Sequence, residues 1–278
     1  MTSLAATTSP SASQRARWFV SDSLALAGRN LQHVRQIPEK LLDVTLQPIM
    51  FVLLFAFVFG NVIAVPGGHY REYLIAGILV QSVAFGMMGP GTSISADLGE
   101  GMVDRIRSLP TSRSAYLFGH FAAELAAALL AIAILCATGF VVGWSIDSSA
   151  PDALGGVVLL VAFASAMIWL GTLLGVIARS PDAVQGFVFM TVFPLTFLSN
   201  AFVPAGGLPD GLRAVAEWNP ISAVVAAERT LFGNPTAAPS DAAWPLQHPV
   251  LAATLWTLLF LALSIPLTIR RFRARTTE

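Results

Sequence analysis

Charged residues concentrate in one segment of an otherwise apolar chain, residues 97–113, with the sequence DLGEGMVDRIRSLPTSR. The segment holds three acids followed by three arginines, although only 12% of the whole chain is charged. They are Asp97, Glu100, Asp104, Arg105, Arg107 and Arg113. Such a helix-prone, charged hairpin can form ion pairs with a complementary protein surface. Because it lies between two long apolar runs, we expect it to dock a soluble partner; the alternative is a solvated turn.

The sequence lacks the common motifs for nucleotide hydrolysis and for metal catalysis. Its only lysine, Lys40, lies within EKLL, so no G-x-x-x-x-G-K-[ST] loop can form. There is no H-E-x-x-H motif and the four histidines are scattered, so we expect no metal site and no cofactor in this chain. The energy for its function is therefore expected to come from the partner that docks on residues 97–113.

The composition indicates a membrane protein. Hydrophobic residues make up 55% of the 278 residues and the mean hydropathy is +0.70, which exceeds what a soluble domain of this size needs. A helix that crosses a bilayer needs roughly 20 apolar residues. The segments that qualify are about residues 41–63, 73–95, 115–143, 153–178, 183–203 and 249–269. We predict an all-α, polytopic membrane protein in which residues 41–278 form a transmembrane domain of six helices.

The positions of the basic residues predict the orientation of these spans. Of the 16 basic residues, 13 lie before the first span, between the second and third, between the fourth and fifth, or after the sixth. They are Arg15, Arg17, Arg29, Arg35, Lys40, Arg105, Arg107, Arg113, Arg179, Arg270, Arg271, Arg273 and Arg275. We therefore expect both termini to face the cytoplasm. This requires an even number of spans, which six satisfies.

The region before the first span has its own pattern. Residues 1–16 are rich in serine, threonine and alanine, and we expect a disordered cytoplasmic tail. Residues 17–40 carry one apolar stripe at helical spacing, with arginines and glutamines mostly off it. We expect an amphipathic helix lying in the plane of the lipid headgroups. The alternative is a helix packed on the bundle.

Residues 207–233 precede the last span and contain two short helix-like pieces, near Pro209–Trp218 and Ile221–Phe232. Each is too short to cross a bilayer. We expect short external helices that lie at the interface, or re-entrant ones that dip in and return. Asn219, Pro220 and Arg229 are candidate residues of an external lid.

Other features within the predicted spans bear on packing and polarity. Gly171 and Gly175, and likewise Gly139 and Gly143, show the G-x-x-x-G spacing that permits close approach of helices. Glu124 is an ionisable residue in the third span, where a central carboxylate costs about 2.5–3.5 kcal/mol on insertion scales. Two interpretations stay open for it: a structural partner or shallow position, and a substrate or proton site.

Three stretches resemble the permease subunits of type-2 ATP-binding-cassette (ABC) exporters, especially the daunorubicin-resistance-like branch. They are EGMVDRIRSLPTSR at 100–113, LSNAFVP at 198–204 and LPDGLRAVAEWNPISAVVAAERTLFG at 208–233. Their order and spacing agree with the family along nearly the whole chain after Arg15. One departure is Gly211, where an aromatic residue is common.

The resemblance implies a permease without its own ATPase motif, in the bacterial cytoplasmic (inner) membrane. Two permease copies or paralogues would pair as a dimer, each with a cytoplasmic ABC ATPase subunit that binds ATP and Mg²⁺. The hairpin 97–113 would insert into that ATPase, with charged contacts and a turn back to the third span. The implied coupling residues are Glu100, Gly101, Asp104, Arg105, Arg107, Leu109, Pro110 and Arg113. No nucleic-acid partner is implied.

These features leave functions of different classes to compare. The first is the membrane subunit of an ATP-driven exporter of an amphipathic drug, antibiotic or lipid. The second is a proton-coupled secondary transporter that uses Glu124 and needs no ATPase, although no inverted repeat is evident. The third is a membrane enzyme acting on lipid, which would need clustered polar groups that the sequence does not supply. The charged segment 97–113 favours the first.

Overall fold

The protein was analysed as a computed structural model, which describes residues 46, 49–59, 63, 65–100, 113–239 and 241–275. Every regular element in that part of the chain is helical. The helices are α1 (Ile49–Val58), α2 (Tyr70–Phe85), α3 (Met88–Gly99), α4 (Arg113–Val142), α5 (Ala150–Ile177), α6 (Pro181–Phe197), α7 (Asp210–Trp218), α8 (Pro220–Phe232), α9 (Trp244–Gln247) and α10 (Pro249–Arg275). A π-helical turn at Phe55–Phe59 ends α1, and a 3₁₀ turn at Ala205–Gly207 precedes α7.

Four stretches in the described part of the chain are long and apolar enough to cross a membrane. They are Tyr70–Gly99, Tyr116–Val142, Ala150–Ile177 and Pro249–Ala274. The first of them contains both α2 and α3. Together with the shorter helices before α10, these stretches confirm the predicted all-α, polytopic membrane protein.

Two of the predicted spans correspond to shorter helices. The fifth is represented by α6, which has 17 residues, and the first by α1. The number of six spans therefore stays a prediction. The expected tail 1–16, the amphipathic helix 17–40 and residues 101–112 lie outside the described residues.

Local sequence explains where several helices begin. The side chain of Ser149 accepts a hydrogen bond from the Asp152 N–H at the start of α5, where a proline follows the cap. Ser180 caps α6 in the same way, accepting from the Ala183 N–H. A polar cap followed by proline satisfies an exposed backbone donor and fixes φ for the first turn. Both helix starts could therefore be read from the sequence.

Close backbone contact joins α3 to α5. A Cβ atom at Gly171 would lie 2.0 Å from the carbonyl oxygen of Met87, and one at Gly175 would lie 2.2 Å from that of Gly91. The expected packing role of Gly171 and Gly175 is confirmed. The Gly139–Gly143 pair differs, because Gly143 ends α4 at a φ of +99° and a Cβ there would meet no described atom within 4 Å. The packing interpretation of Gly143 is wrong.

Three hydrophobic clusters form among the described residues, and two of them lie along the long helices of the bundle. The larger one is shared by several helices, including α2, α5, α6 and α8. Its fully buried members include Tyr73, Leu79, Phe163, Val188 and Val224. The smaller cluster joins α3, α4, α5 and α10 at the end where α3 stops, through Ile94, Tyr116, Trp169 and Phe272. These clusters hold the two sites described below at opposite ends of the α2–α3 stretch.

The α3–α5 contact generates a stability prediction. Gly171→Ala should lower the free energy of unfolding by about 1–3 kcal/mol, because its new methyl group meets the rigid Met87 backbone. Thermal melting of the detergent-purified protein measures the change. Gly155→Ala in the same helix is the control, since its methyl group would lie 3.5 Å from the Leu231 side chain, an ordinary contact. Equal melting temperatures for the two variants would contradict the packing account.

Candidate functional site

The structure places both ends of the charged segment but not its middle. Glu100 lies in an exposed turn directly after α3, where its N–H donates to the Ala96 carbonyl at 2.9 Å. Arg113 is the first residue of α4. The remaining predicted coupling residues lie outside the described part of the chain. They are Gly101, Asp104, Arg105, Arg107, Leu109 and Pro110. Their role in docking stays a prediction.

A polar and aromatic junction ties the two helices that flank this segment. The hydroxyl of Tyr116 in α4 donates a hydrogen bond to the Asp97 carboxylate in α3. The Tyr116 ring stacks on Phe272 of α10, with centroids 5.8 Å apart and planes 12° apart. It also stacks on His120, one turn further along α4, at 6.3 Å. We call Asp97, Tyr116, His120 and Phe272 the Asp97 junction; it joins α3, α4 and α10.

Glu124 lies partly buried in α4 and faces α3. A Cβ atom at Gly89 would lie 3.3 Å from its Oε2 atom, which places the carboxyl next to the first turn of α3. The carboxyl therefore faces a neighbouring helix of the same chain. Both interpretations of Glu124, the structural and the transport one, stay predictions.

The most completely enclosed cation in the described part of the chain is Arg229 in α8, with an exposed fraction of 0%. Its Nε donates to the Tyr73 carbonyl at 2.9 Å. Its two Nη groups donate to the carbonyls of Asn200 and Ala201, each at 3.0 Å. The guanidinium also lies 3.3 Å from the centroid of the Tyr73 ring. Backbone carbonyls and an aromatic face thus replace the carboxylate that usually accompanies a buried arginine.

The carbonyls of Asn200 and Ala201 belong to the turn that follows α6. The end of a helix exposes carbonyls that lack partners in the helix itself and carry partial negative charge. Asn219 also satisfies a carbonyl at the C-terminal end of α6, because its Nδ2 donates to the Leu195 carbonyl at 2.6 Å. Its Oδ1 accepts from the Ile221 N–H at 2.9 Å and so caps α8, with Pro220 in the first turn.

Other polar groups complete what we call the Arg229 cluster. The Tyr73 hydroxyl donates to the Asn200 carbonyl at 2.6 Å, and the Tyr70 hydroxyl donates to that of Phe202 at 3.2 Å. The Asn200 N–H donates to Ser222 Oγ at 3.1 Å. The cluster consists of Tyr70, Tyr73, Asn200, Ser222 and Arg229. It fastens α2, the turn after α6 and α8 together.

The lid candidates lie at the two ends of α8 and attach it to the end of α6 and the turn after it. Asn219 and Arg229 both donate hydrogen bonds to backbone carbonyls there, and Pro220 starts α8. Their arrangement makes a rigid attachment for the short helices. Whether those helices act as a lid stays a prediction.

An ion network holds the other short helix, α7. Arg213 donates to Glu217 at 2.7 Å and to Asp241 at 2.8 Å. The second oxygen of Glu217 accepts from the Ala243 N–H at 2.8 Å. The hydrogen bond from Arg213 is the main cause that lowers the pKa of Asp241. The network links α7 to the segment that leads into α9.

Sequence reasoning missed several residues of these sites. Tyr73, Asn200 and Tyr116 were not singled out, because a tyrosine or asparagine near the end of an apolar run resembles an ordinary interfacial residue. Glu228, next to Arg229, was also missed, yet its side chain is completely buried. For Glu228 a signal was present: a carboxyl in a run of small apolar residues, ISAVVAAER.

The Arg229 cluster brings together two of the sequence motifs, residues 198–204 and 208–233, as a single structural unit. A family model described as "ABC-2 type transporter" matches residues 22–232 and includes most of both motifs and the charged segment. The chain belongs to the ABC-2 type transporter family. The match covers more than half of the permease and confirms the resemblance drawn from its motifs.

Curated relatives agree with the family assignment. The permease is 30% identical over 213 residues to the daunorubicin resistance ABC transporter permease protein DrrB1 of Streptomyces coeruleorubidus, covering 77% of this chain and 75% of that protein. It is 24% identical over 200 residues to the doxorubicin resistance ABC transporter permease protein DrrB of Mycobacterium tuberculosis, covering 72% and 69%. The probable permease DrrC of the same organism is 22% identical over 276 residues, covering 98% and 96%.

The Arg229 cluster predicts a large loss of stability on truncation. Arg229→Ala removes three hydrogen bonds from a charged donor to buried carbonyls, at about 1.5–3 kcal/mol each, so the free energy of unfolding should fall by at least ~3 kcal/mol. Arg229→Lys should recover only part of it, because an ammonium cannot reproduce the planar fork. Thermal melting in detergent measures both variants.

Arg71→Ala is the matched control for this measurement. Arg71 lies in α2 at the same end of the bundle, but it is partly exposed and its guanidinium lies 5.4 Å from the centroid of the exposed Phe57 ring, so its removal should change the melting temperature little. If Arg229→Ala melts at the same temperature as Arg71→Ala, the cluster does not hold this end of the bundle.

Proposed function

We propose that this chain is the permease subunit of an ATP-driven ABC exporter that moves an amphipathic compound out across the cytoplasmic membrane. The observation that carries the proposal is the match of the ABC-2 type transporter family to residues 22–232, which include the charged segment. The sequence has no P-loop lysine, so a separate ATPase subunit supplies the ATP and Mg²⁺ chemistry.

The ATPase docks on residues 97–113 in this proposal. The segment runs from the last turn of α3 to the first residue of α4, and six of its 17 residues are charged, three acids and three arginines. Charges of both signs let the contact be selective for a complementary groove, since a wrong partner meets like charges. The orientation predicted from the basic residues places this segment on the cytoplasmic side, together with both termini. A soluble ATPase therefore has access to it.

The Asp97 junction supplies the mechanical link for such a partner. A displacement of the segment by the ATPase moves the end of α3 and the start of α4 together, because the Tyr116–Asp97 hydrogen bond joins them. Stacking of Tyr116 on Phe272 passes the same displacement to α10. ATP can drive transport through this link only by binding the two conformations of the assembly with different affinities.

The apolar surface fits both lipid and cargo. On α6, large side chains stand exposed on the isolated chain, with fractions of 45–78%. They are Phe187, Phe189, Met190, Phe193 and Phe197. Lipid, a second permease subunit and an amphipathic cargo can each cover such a face. Resistance to daunorubicin and doxorubicin appears in the names of the relatives, which supports an amphipathic drug or antibiotic as the cargo of a dimeric exporter.

Charge reversal tests the docking surface. Arg105→Glu with Arg107→Glu should reduce co-purification with the partner ATPase by about tenfold or more, because two attractive contacts become repulsive. Co-purification from membranes and ATP-dependent efflux are both measured. The charge-matched control is Arg270→Glu with Arg271→Glu, two exposed residues of α10 outside the segment. Intact assembly and efflux in the first variant would contradict the proposal.

A second variant tests the mechanical link. Tyr116→Phe removes the hydrogen bond to Asp97 and keeps the ring that stacks on Phe272. We expect the ATPase to remain bound while the amount of compound transported per ATP hydrolysed falls severalfold. The two rates are measured together in proteoliposomes. An unchanged ratio would show that the junction only stabilises the fold.

A further inference from the structure

Glu228 is a completely buried carboxyl that the proposed transport mechanism does not use. It lies in α8, which has 13 residues and is too short to cross a bilayer. Its exposed fraction is 0%, and neither carboxyl oxygen has a hydrogen-bond partner among the described residues. Nearly all buried polar groups in folded proteins are paired, so this arrangement needs a physical reason.

The space in front of the carboxyl is closed by α5. A Cβ atom at Gly156 would lie 3.2 Å from Glu228 Oε2 and 2.7 Å from the ring of Phe232. Glycine at position 156 therefore lets α5 lie directly against the carboxyl. The closure depends on the contact between α8 and α5, which are separate helices and can move apart.

No cation faces Glu228 from the described elements that pack against α8. Arg229, its neighbour in the chain, is engaged with carbonyls of α2 and of the turn after α6. Arg213 and Glu217 of α7 pair with each other. Arg71 of α2 lies over the ring of Phe57, 5.4 Å from its centroid. Cys136 in α4 is a thiol and carries no positive charge.

The remaining titratable groups on those elements are engaged elsewhere or distant in the fold. Tyr70 and Tyr73 of α2 donate to carbonyls of the turn after α6, and Glu72 of the same helix accepts from the His69 N–H. Asp210 is exposed at the start of α7. Asp152 of α5 is exposed and bonded to Ser149. Asp182 is exposed in the first turn of α6, whereas α8 meets the last turn. Helix α9 has none, and α10 has none before Arg270.

An ionised carboxylate without donors or a counter-ion is very costly in a protein interior, whereas the neutral acid costs far less. Burial accordingly raises the pKa of the Glu228 carboxyl well above its usual value. The geometry and the charge distribution thus point to the same species at neutral pH, a neutral carboxylic acid.

We propose that Glu228 is a proton-binding site, holding one proton in the packed arrangement and releasing it to water when α8 separates from Gly156. The O–H bond of the acid breaks, the carboxylate keeps the electron pair and the proton passes to the water that enters. The release step rests on the proposed function, because it requires a transport cycle with two conformations. The proton binds the packed conformation better, so a rise in pH favours the open one.

The sign of the pH dependence follows from linkage. Because the pKa of Glu228 is raised in the folded protein, its contribution to stability is complete below the unfolded pKa and is lost as pH rises through the folded pKa. The wild-type protein should therefore lose melting temperature relative to Glu228→Gln as pH rises from about 5 to about 9. Parallel curves for the two proteins would overturn the proposal.

Infrared spectroscopy of the full chain in lipid nanodiscs tests protonation directly. At neutral pH the wild-type spectrum should contain the C=O stretch of a protonated carboxyl that Glu228→Gln lacks. Glu217→Gln, which removes the salt-bridged glutamate of α7, should leave that band unchanged. If Glu228→Gln does not fold, Glu228→Asp should shift the same band. A spectrum unaltered by substitution of Glu228 would show an ionised carboxyl and overturn the proposal.

A dye measurement in the assembled transporter tests release. When ATP binds to the complex with the partner ATPase, the wild type should release about one proton more than Glu228→Gln. Equal release from the two proteins would overturn this step. Failure of the ATPase to bind would refute the proposed function instead, and the infrared result on the permease alone would still decide whether Glu228 carries a proton.

Discussion

The guanidinium of Arg229 satisfies three backbone carbonyls that come from two different parts of the chain. Hydrogen bonds to a charged group contribute about 1.5–3 kcal/mol each. This one side chain therefore stabilises the packing of α2, the turn after α6 and α8 against one another. It fixes the turn after α6 against α2, and a Cβ atom at Gly77 would lie only 2.2 Å from the Ala201 carbonyl oxygen. The short helices α7 and α8 can then begin from a rigid end of the bundle.

The two ends of the α2–α3 stretch are built differently. The Arg229 cluster uses buried hydrogen bonds to backbone, which tolerate little movement. The Asp97 junction uses one hydrogen bond and stacked rings, which let helices shift together while staying in contact. A rigid Arg229 cluster at one end and a more mobile Asp97 junction at the other suit a protein on which the ATPase acts near Asp97. Between the two ends, Gly171 and Gly175 of α5 let α3 pack closely against that helix.

The sequence predicted the helical elements well, because hydropathy and proline–glycine punctuation are local signals. It also placed Asn219, Pro220 and Arg229 in one group. It did not predict what Arg229 binds, since its partners are backbone carbonyls 28, 29 and 156 residues away and no side-chain pattern marks them. Glu124 was chosen as the notable carboxyl, although Glu228 is more deeply enclosed, because burial depends on how helices pack and not on their hydropathy.

Site-directed cross-linking tests the central claim, that residues 97–113 contact the ATPase, most directly. The chain has one cysteine, Cys136, so Cys136→Ser gives a cysteine-free background. In membranes that contain the partner ATPase, a cysteine at position 107 should cross-link to it. A cysteine at position 213, at the other end of the bundle, should not. No cross-link from position 107, or equal cross-linking from both positions, would contradict the account.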